Sequence, residues 1–230
     1  MKVSELITIT KPLSPISESY RTLRTNIKFS SVDKDIKVIV VTSSGPGEGK
    51  STTASNLAVV MAQTGNKTVI IDCDQRKPRL HKVFNLSNER GISDVLAKEI
   101  KFEDAIQDTG VKDLAIITSG TKPPNPAELL ASGAMKEFLE SLREKYDTII
   151  IDTPPIVAVT DAQLLSRYAD GCILVVASEQ ADRDAAMKAR ELLEKVDANM
   201  LGVVLNKVDG SHKGYYGAYY SYYAEEEEKK

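Results

Sequence analysis

This sequence of 230 residues has few cysteines, no long apolar run and no excess of basic charge. Its longest unbroken apolar runs, 57–62 and 172–177, are far shorter than the about 20 residues that a helix needs to cross a bilayer. The two cysteines, Cys73 and Cys172, lie within apolar stretches, which is typical of reduced, buried side chains in a cytoplasmic protein and excludes a disulfide framework. A formal net charge of −3 argues against a protein that binds nucleic acid through general phosphate attraction.

Short runs of β-branched residues alternate with longer stretches of helical spacing. The short runs indicate buried strands at 38–41, 68–71, 114–118, 148–151, 172–176 and 201–205. The longer stretches indicate helices at 50–64, 128–145 and 183–196. This alternation predicts an α/β fold in which a mostly parallel central sheet carries helices on both faces. Ahead of the second helix, Asn125 is a predicted cap, with Pro126 at the first helical position and Glu128 reaching back.

The two ends of the chain differ from this pattern. Residues 1–16, with two prolines near their end, predict an extended N-terminal arm, and a helix follows at about 17–29. Residues 17–209 are the predicted domain. Residues 210–230 are low in complexity and rich in tyrosine and glutamate, so they predict a flexible tail.

The segment 44–51 matches a phosphate-binding P-loop, with Ser44 in place of the first glycine. It follows a predicted strand and opens a predicted helix, which is the context that this motif requires. Glycines let backbone N–H groups turn toward phosphate oxygens, and the helix presents its positive end to the same anion. We expect Lys50 to contact the β- and γ-phosphates and Ser51 to offer its hydroxyl to Mg²⁺. The predicted nucleotide contacts are Gly45, Pro46, Gly47, Glu48, Gly49, Lys50, Ser51 and Thr52.

Acidic residues end two of the predicted strands. Asp152 matches the acid of a Walker B motif, which holds Mg²⁺ directly or through water. Asp72 and Asp74 end the strand that follows the P-loop helix. Asp72 is placed to orient or deprotonate an attacking hydroxyl, whereas Asp74 either joins the site or caps the next segment. Because ligands of open α/β sheets bind beyond the carboxyl ends of the strands, we expect these residues to converge on one site, together with those around Asn206.

Three segments together resemble the Walker A, Walker A′ and Walker B motifs of the bacterial tyrosine kinases of capsule and exopolysaccharide synthesis: 44–51, 69–76 and 149–154. The resemblance covers the chain from about residue 17 to its end. It implies a P-loop kinase that uses ATP and Mg²⁺ to phosphorylate protein tyrosines. By this likeness Lys50 and Ser51 hold the phosphates and metal, Asp74 and Asp152 help to place the metal, and Asp72 activates the tyrosine hydroxyl.

The tail and the first helix also resemble parts of that family. The tail is similar to the family's autophosphorylation cluster, and its six tyrosines are Tyr215, Tyr216, Tyr219, Tyr220, Tyr222 and Tyr223. Glu18, Arg21 and Arg24, spaced by three, are similar to the helix through which such kinases form a ring. Each subunit of the ring offers its tail to a neighbour's site. An ordinary solvated helix face is the alternative for these three charges.

The likeness also implies a partner and a location. Kinases of this family need a membrane-spanning activator, either fused to them or separate. With no spanning segment in the sequence, we expect the split form, a cytoplasmic chain recruited to the inner face of the membrane by the activator's cytosolic tail.

Two other functions compete with the kinase. A regulatory ATPase of the partition or cell-division type shares the P-loop. Such proteins carry a second lysine early in the loop, where this chain has Gly45, Pro46 and Gly47. A nucleotide-gated scaffold with an unmodified tyrosine tail is the non-enzyme alternative. Residues 206–209 also match a guanine-reading pattern, but the GTPase glycine is absent after Asp152. In the kinase family that the chain resembles, an Asn after the last strand lies near the base, and this likeness implies that Asn206 contacts the adenine base. The basic segment 76–79 binds an anion or the incoming tail, or is a simple turn.

Overall fold

A seven-stranded sheet organises the part of the chain that the computed structural model describes, residues 6–30 and 35–209. The strands are β1 Val38–Ser43, β2 Thr68–Asp72, β3 Ile106–Asp108, β4 Leu114–Ile117, β5 Thr148–Asp152, β6 Gly171–Ala177 and β7 Met200–Asn206. Their spatial order is β3-β4-β2-β5-β1-β6-β7, and all pairs are parallel except β3 with β4. β1, β2 and β5, the three strands that lead to the P-loop and the acidic residues, are therefore grouped at the centre.

The helices of the described residues lie on both faces of this sheet. They are α1 Ile7–Thr10, α2 Pro15–Phe29, α3 Lys50–Ala62, α4 Leu80–Phe84, α5 Ile92–Leu96, α6 Phe102–Ala105, α7 Pro126–Leu130, α8 Gly133–Lys145, α9 Asp161–Ser166 and α10 Arg183–Glu194. Within residues 6–30 and 35–209, no helix combines the length and apolar character that crossing a membrane requires.

The two faces of the sheet carry separate apolar cores because successive strand residues point to opposite sides. Val38 and Val40 of β1 belong to the core beneath α8, α9 and α10, whereas Ile39 and Val41 belong to the core beneath α3. All four side chains are fully buried. The predicted α/β fold with a mostly parallel sheet covered on both faces is confirmed.

Helix α3, which continues directly from the P-loop, is buried nearly all round. Eleven of its 13 residues are buried, because the sheet covers one side and the α1–α2 segment covers the other. Leu6 and Ile27 belong to the same apolar core as Leu57 of α3. The N-terminal segment is therefore an outer layer of the domain.

The prediction of an extended arm over residues 1–16 is wrong for the part that the structure describes. Residues 7–10 form α1, and α2 begins at Pro15, with the Ser14 hydroxyl accepting a hydrogen bond from the Ser17 N–H at 3.2 Å. The segment docks because Leu6 and Thr8 are completely buried. Thr8 donates from its N–H and its hydroxyl to Asn56 Oδ1 on α3, at 3.2 and 2.8 Å.

Two further local predictions differ from the structure. The helix expected over 128–145 is two helices, α7 and α8, because the chain turns at Ser132, which precedes the first residue of α8. Asn125 forms no side-chain cap; its amide donates to Glu128 Oε2 at 3.2 Å instead of accepting from the backbone. The short antiparallel edge strand β3 carries no clear alternation and escapes sequence analysis.

Asn56 offers a test of the docked N-terminal segment. We expect Asn56→Ala to lower the free energy of unfolding by about 1–3 kcal/mol, because two Thr8 donors lose their acceptor and the Thr52 carbonyl loses a donor. Ser55→Ala is the control, since its hydroxyl bonds only to the Ser51 carbonyl within α3. Urea unfolding of both variants measures the difference, and equal losses would contradict a role of Asn56 in holding the segment.

Candidate active site

The P-loop joins β1 to α3, and glycine is required at two of its positions. Gly47 and Gly49 have φ angles of 79° and 93°, in the left-handed region. A Cβ atom on Gly49 would lie 2.0 Å from the Asn206 side-chain nitrogen, so a larger residue would displace the Asn206 amide from the loop. Lys50 begins α3, and this places the helix N-terminus and the glycine-rich backbone beside each other.

Glu48 braces the loop from within. Its Oε1 accepts hydrogen bonds from the Ser44 hydroxyl and, at 2.7 Å, from the Gly45 N–H. Glu48 is only 5% exposed, so these bonds are shielded from water. Ser44, which departs from the usual glycine of the motif, therefore supplies a hydroxyl donor to a buried carboxylate. The sequence gives no signal for this contact beyond the departure itself.

The end of β7 holds the loop from outside. The Asn206 side-chain amide donates to the Glu48 carbonyl at 2.9 Å, and Lys207 Nζ donates to the Gly47 carbonyl at 2.8 Å and to Gln180 Oε1 at 2.6 Å. Asn206 thus lies at the P-loop and supports its backbone. Contact of Asn206 with an adenine base stays a prediction, and the role of Lys207 as a loop support was missed from sequence.

Lys50 contacts one carboxylate in the loop after β2 and one at the end of the neighbouring strand β5. Its Nζ atom lies 3.1 Å from Asp74 Oδ2 and 3.8 Å from Asp152 Oδ1, and 3.3 Å from the Ser51 hydroxyl. Burial lowers the pKa of Lys50, but the charges of Asp152 and Asp74 outweigh it and raise the pKa above its usual value. Lys50 is therefore a firmly charged cation at the carboxyl ends of β2 and β5.

Asp152 has the character of a metal ligand. It is fully buried, and neither carboxylate oxygen has a hydrogen-bond partner among the described residues. Burial raises its pKa, although nearby Lys50 and Ser51 act in the opposite direction. Mg²⁺ prefers oxygen ligands and is usually bound by one or two carboxylates together with substrate phosphates and water. The Asp152 oxygens accept no hydrogen bond from the described residues and lie beside Ser51, so together with the Ser51 hydroxyl they fit such an ion. The described residues contain no cluster of three or more His, Cys, Asp or Glu side chains suited to a metal.

Asp72 and Asp74 occupy different environments. Asp72 accepts backbone N–H groups of Arg79 and Leu80, each at 2.9 Å, and that of Asp74 at 3.2 Å, so it holds the start of α4. Asp74 accepts the Lys77 N–H at 3.0 Å through one oxygen and contacts Lys50 through the other. Asp74 therefore combines the two roles that the sequence left as alternatives. Burial, followed by the charge of Asp152, raises the pKa of Asp72 to about 7.

Arg76 connects the loop after β2 to the start of α9. Its guanidinium donates through two nitrogens to Asp161 at the start of α9, at 3.2 and 3.1 Å, and the Asp161 side chain is fully buried. Asp161 raises the pKa of Arg76 by accepting these bonds. The guanidinium is thus occupied by a structural ion pair between the loop after β2 and the loop after β5. No sequence motif points to Asp161, which lies 85 residues from Arg76.

The charged stripe of α2, which consists of Glu18, Arg21 and Arg24, makes two kinds of contact. Glu18 and Arg21 form an exposed ion pair of 3.0 Å, and Arg21 also donates to the Pro12 carbonyl. Arg24 donates at 2.9 Å to the Val60 carbonyl near the end of α3. Arg24 therefore also holds α2 on α3 within the chain.

The predicted phosphorylation sites, Tyr215, Tyr216, Tyr219, Tyr220, Tyr222 and Tyr223, lie outside the described residues.

The pKa of Asp72 predicts how stability changes with pH. An ordinary carboxyl of an unfolded chain has a pKa of about 3.9, so the folded protein binds this proton more tightly. The contribution of Asp72 to stability should therefore fall as pH rises from about 4 to about 7. In Asp72→Asn we expect this loss to be smaller, by at most about 1.4 kcal/mol per pH unit, the value for one proton. Urea unfolding of the nucleotide-free protein across this range measures the slopes. Asp184→Asn on the exposed face of α10 is the control, and equal slopes in all three proteins would contradict the prediction.

Comparisons with known proteins agree with this geometry. The AAA domain family matches residues 36–201. Tyrosine-protein kinase YwqD of Bacillus subtilis is 49% identical over 214 residues, which cover 93% of this chain and 90% of the relative. The crystal structure of the chimerical protein CapA2B2 has a TM-score of 0.86 and 47% identity, covering 89% of this chain and 90% of that chain. The kinase domain of the Escherichia coli tyrosine kinase ETK has a TM-score of 0.85 and 33% identity, covering 88% and 80%. The chain thus belongs to the bacterial tyrosine-protein kinases.

Proposed function

We propose that this chain transfers the γ-phosphoryl group of ATP to tyrosines in the tail of a neighbouring copy, in the service of capsule or exopolysaccharide synthesis. The observation that carries the proposal is the convergence of Lys50, Ser51, Asp74 and Asp152 beside a glycine-rich helix N-terminus. The chain also holds six tyrosines within residues 215–223, just after the last strand. A phosphate cradle and a set of acceptors are therefore present in one polypeptide.

The transfer forms a bond between the tyrosine oxygen and the γ-phosphorus and breaks the bond from that phosphorus to the bridging oxygen of ADP. Negative charge moves between phosphate oxygens during the transfer, and Lys50 neutralises it. The P-loop N–H groups orient the same oxygens. Mg²⁺ held by Ser51 and Asp152, with Asp74 nearby, would supply further neutralisation of charge on the phosphates. Asp74 and Asp152 hold the Lys50 ammonium in place.

Asp72 is the proposed acceptor of the tyrosine proton. A pKa of about 7 suits a general base that works near neutral pH. An ionised carboxylate has about four acceptor positions, and backbone N–H groups use three of those on Asp72. One position is left for a hydroxyl, while the backbone bonds fix the orientation of the carboxylate.

A membrane-spanning activator is the proposed partner. Its cytosolic tail would recruit this chain to the inner face of the membrane and promote transfer. The resemblance of the Walker A′ segment 69–76 and the tyrosine-rich tail to kinases that work with such activators supports this part of the proposal. The 49% identity to a tyrosine-protein kinase favours the kinase over the partition-type ATPase, and no observation favours the scaffold.

Labelling with γ-labelled ATP tests the proposed reaction. With Mg²⁺ we expect label on the six tail tyrosines, and at least about 100-fold less in Lys50→Met, because the main cation of the phosphate site is removed. Lys67→Met is the control, because Lys67 is exposed and precedes β2, at the opposite end of this strand from Asp72. Mapping by mass spectrometry identifies the residues. Release of free phosphate without phosphotyrosine would favour the hydrolase.

The charged stripe of α2 is the proposed ring interface. Because Arg24 also supports α3, a test should leave it in place and change Glu18 and Arg21. We expect the double change Glu18→Arg with Arg21→Glu to yield mainly monomers, since it keeps an ion pair within the helix but reverses both charges toward a neighbour. Native mass spectrometry measures the assembly, and Lys188→Glu with Glu191→Lys on α10 is the matched control. A ring of unchanged size would identify the stripe as a solvated face.

A further inference from the structure

Three exposed basic side chains follow Asp74 along the chain. Lys77 and Arg79 belong to the loop between β2 and α4, and Lys82 lies on α4. In the described part of the chain none of the three forms an ion pair, in contrast to Arg76, whose guanidinium is bound to Asp161. We call Lys77, Arg79 and Lys82 the basic rim. Their charges are available to a ligand, whereas that of Arg76 is not.

Two charges of the basic rim, those of Lys82 and Arg79, act on the same side chain. The pKa of His81 is lowered, first by burial and then by the positive charges of Lys82 and Arg79. Two like charges that both influence one imidazole produce a region of positive potential. Such a region attracts acidic segments and speeds their association at low salt.

The rim is anchored to the reaction centre through its backbone. The Lys77 N–H bonds to Asp74 Oδ1 at 3.0 Å, and the Arg79 N–H bonds to Asp72 Oδ2 at 2.9 Å. The other oxygen of Asp74 is 3.1 Å from Lys50. A segment bound to the rim is therefore held a few residues' length from the atoms that transfer the phosphoryl group.

The sequence contains a complementary segment next to the tyrosine cluster. Glu225, Glu226, Glu227 and Glu228 are consecutive and begin two residues after Tyr223. An extended chain covers at most about 3.6 Å per residue, so Tyr222 or Tyr223 lies within about 7–22 Å of these glutamates. Tyr215 lies up to about 36–47 Å away. Glutamates seated on the rim would therefore present the last tyrosines of the cluster to the site before the first ones.

We propose that the basic rim binds Glu225–Glu228 of a neighbouring copy and thereby sets the order of phosphorylation, with Tyr222 and Tyr223 modified before Tyr215 and Tyr216. This proposal rests on the proposed kinase function. Each new phosphate adds about −1.5 to −2 charge beside the glutamates. The acidic segment then grows toward the start of the cluster, so modification proceeds from the C-terminal tyrosines backwards.

A trans assay with full chains tests the order. The donor carries Phe at all six tail tyrosines, and the acceptor carries Lys50→Met with a native tail, so label reports only transfer between copies. Mass spectrometry gives the initial rate at each tyrosine at low salt. We expect Tyr222 and Tyr223 to lead Tyr215 and Tyr216 by roughly 3–10-fold, as expected for a few exposed ion pairs.

Charge reversal identifies the rim as the cause. A donor with Lys77→Glu and Arg79→Glu should lose the preference, whereas the control donor with Lys67→Glu and Lys112→Glu, both before strands at the opposite edge, should keep it. An acceptor with Glu225–Glu228 changed to lysine should restore the preference with the reversed donor. An acceptor with the same four residues changed to glutamine tests the order without altering the catalytic chain.

Each remaining outcome is distinct. Phosphotyrosine formed in an order that charge reversal does not change would overturn the role of the rim and leave the kinase function intact. Equal slowing at every tyrosine with a raised KM for ATP would mean that the rim serves the nucleotide, and would also overturn it. Absence of phosphotyrosine with every donor would contradict the proposed function itself.

Discussion

The contact of one buried lysine with two buried carboxylates is the constraint on which the site depends. Lys50 begins α3, Asp74 lies in the loop after β2 and Asp152 ends β5, and each of the three residues is at least nine-tenths buried. Buried charges are tolerated only when they are paired, so no member can leave without a cost to the others. Parallel pairing of β1 with β5 and of β5 with β2 brings their carboxyl ends level, with Asp72 opposite Asp152. The order of the strands therefore decides where the phosphate site forms.

The loop that bears Lys50 is supported from several directions. Glu48 binds the start of the loop from inside, and Asn206 and Lys207 bind two of its carbonyls from the end of β7. These bonds leave the N–H groups at the start of α3 for an anion, because the supports from β7 use carbonyl oxygens. A residue pair that resembles a base-reading motif thus contributes to the geometry of the phosphate cradle. Farther along α3, Asn56 bonds to both Thr52 and Thr8. The N-terminal segment therefore rests on the helix that begins at the nucleotide site.

The sequence predicts the strands and the end of the sheet at which the site lies, because both follow from local periodicity and from the rule for parallel sheets. It does not predict contacts between side chains that are distant along the chain. Arg76 with Asp161 and Arg24 with Val60 are 85 and 36 residues apart, and neither pair has a spacing that marks it. Residues 6–10 were misjudged for the same reason, since the burial of Leu6 depends on α3. The break at Ser132 was missed because the helical period continues on both sides of it.

The loop between β2 and α4 links the phosphate site to any ligand that binds the exposed side chains of this loop. Asp72 and Asp74 accept N–H groups from Lys77, Arg79 and Leu80, so the conformation of this loop depends on the two carboxylates. Asp74 also contacts Lys50, and a phosphate or metal ion that draws Lys50 or Asp74 away changes the charge that the loop meets. Arg76 limits the response, because its pair with Asp161 fixes the middle of the loop to α9. An effect at the phosphates is therefore expected to pass to the side chains on either side of Arg76 through backbone hydrogen bonds, without a movement of the sheet.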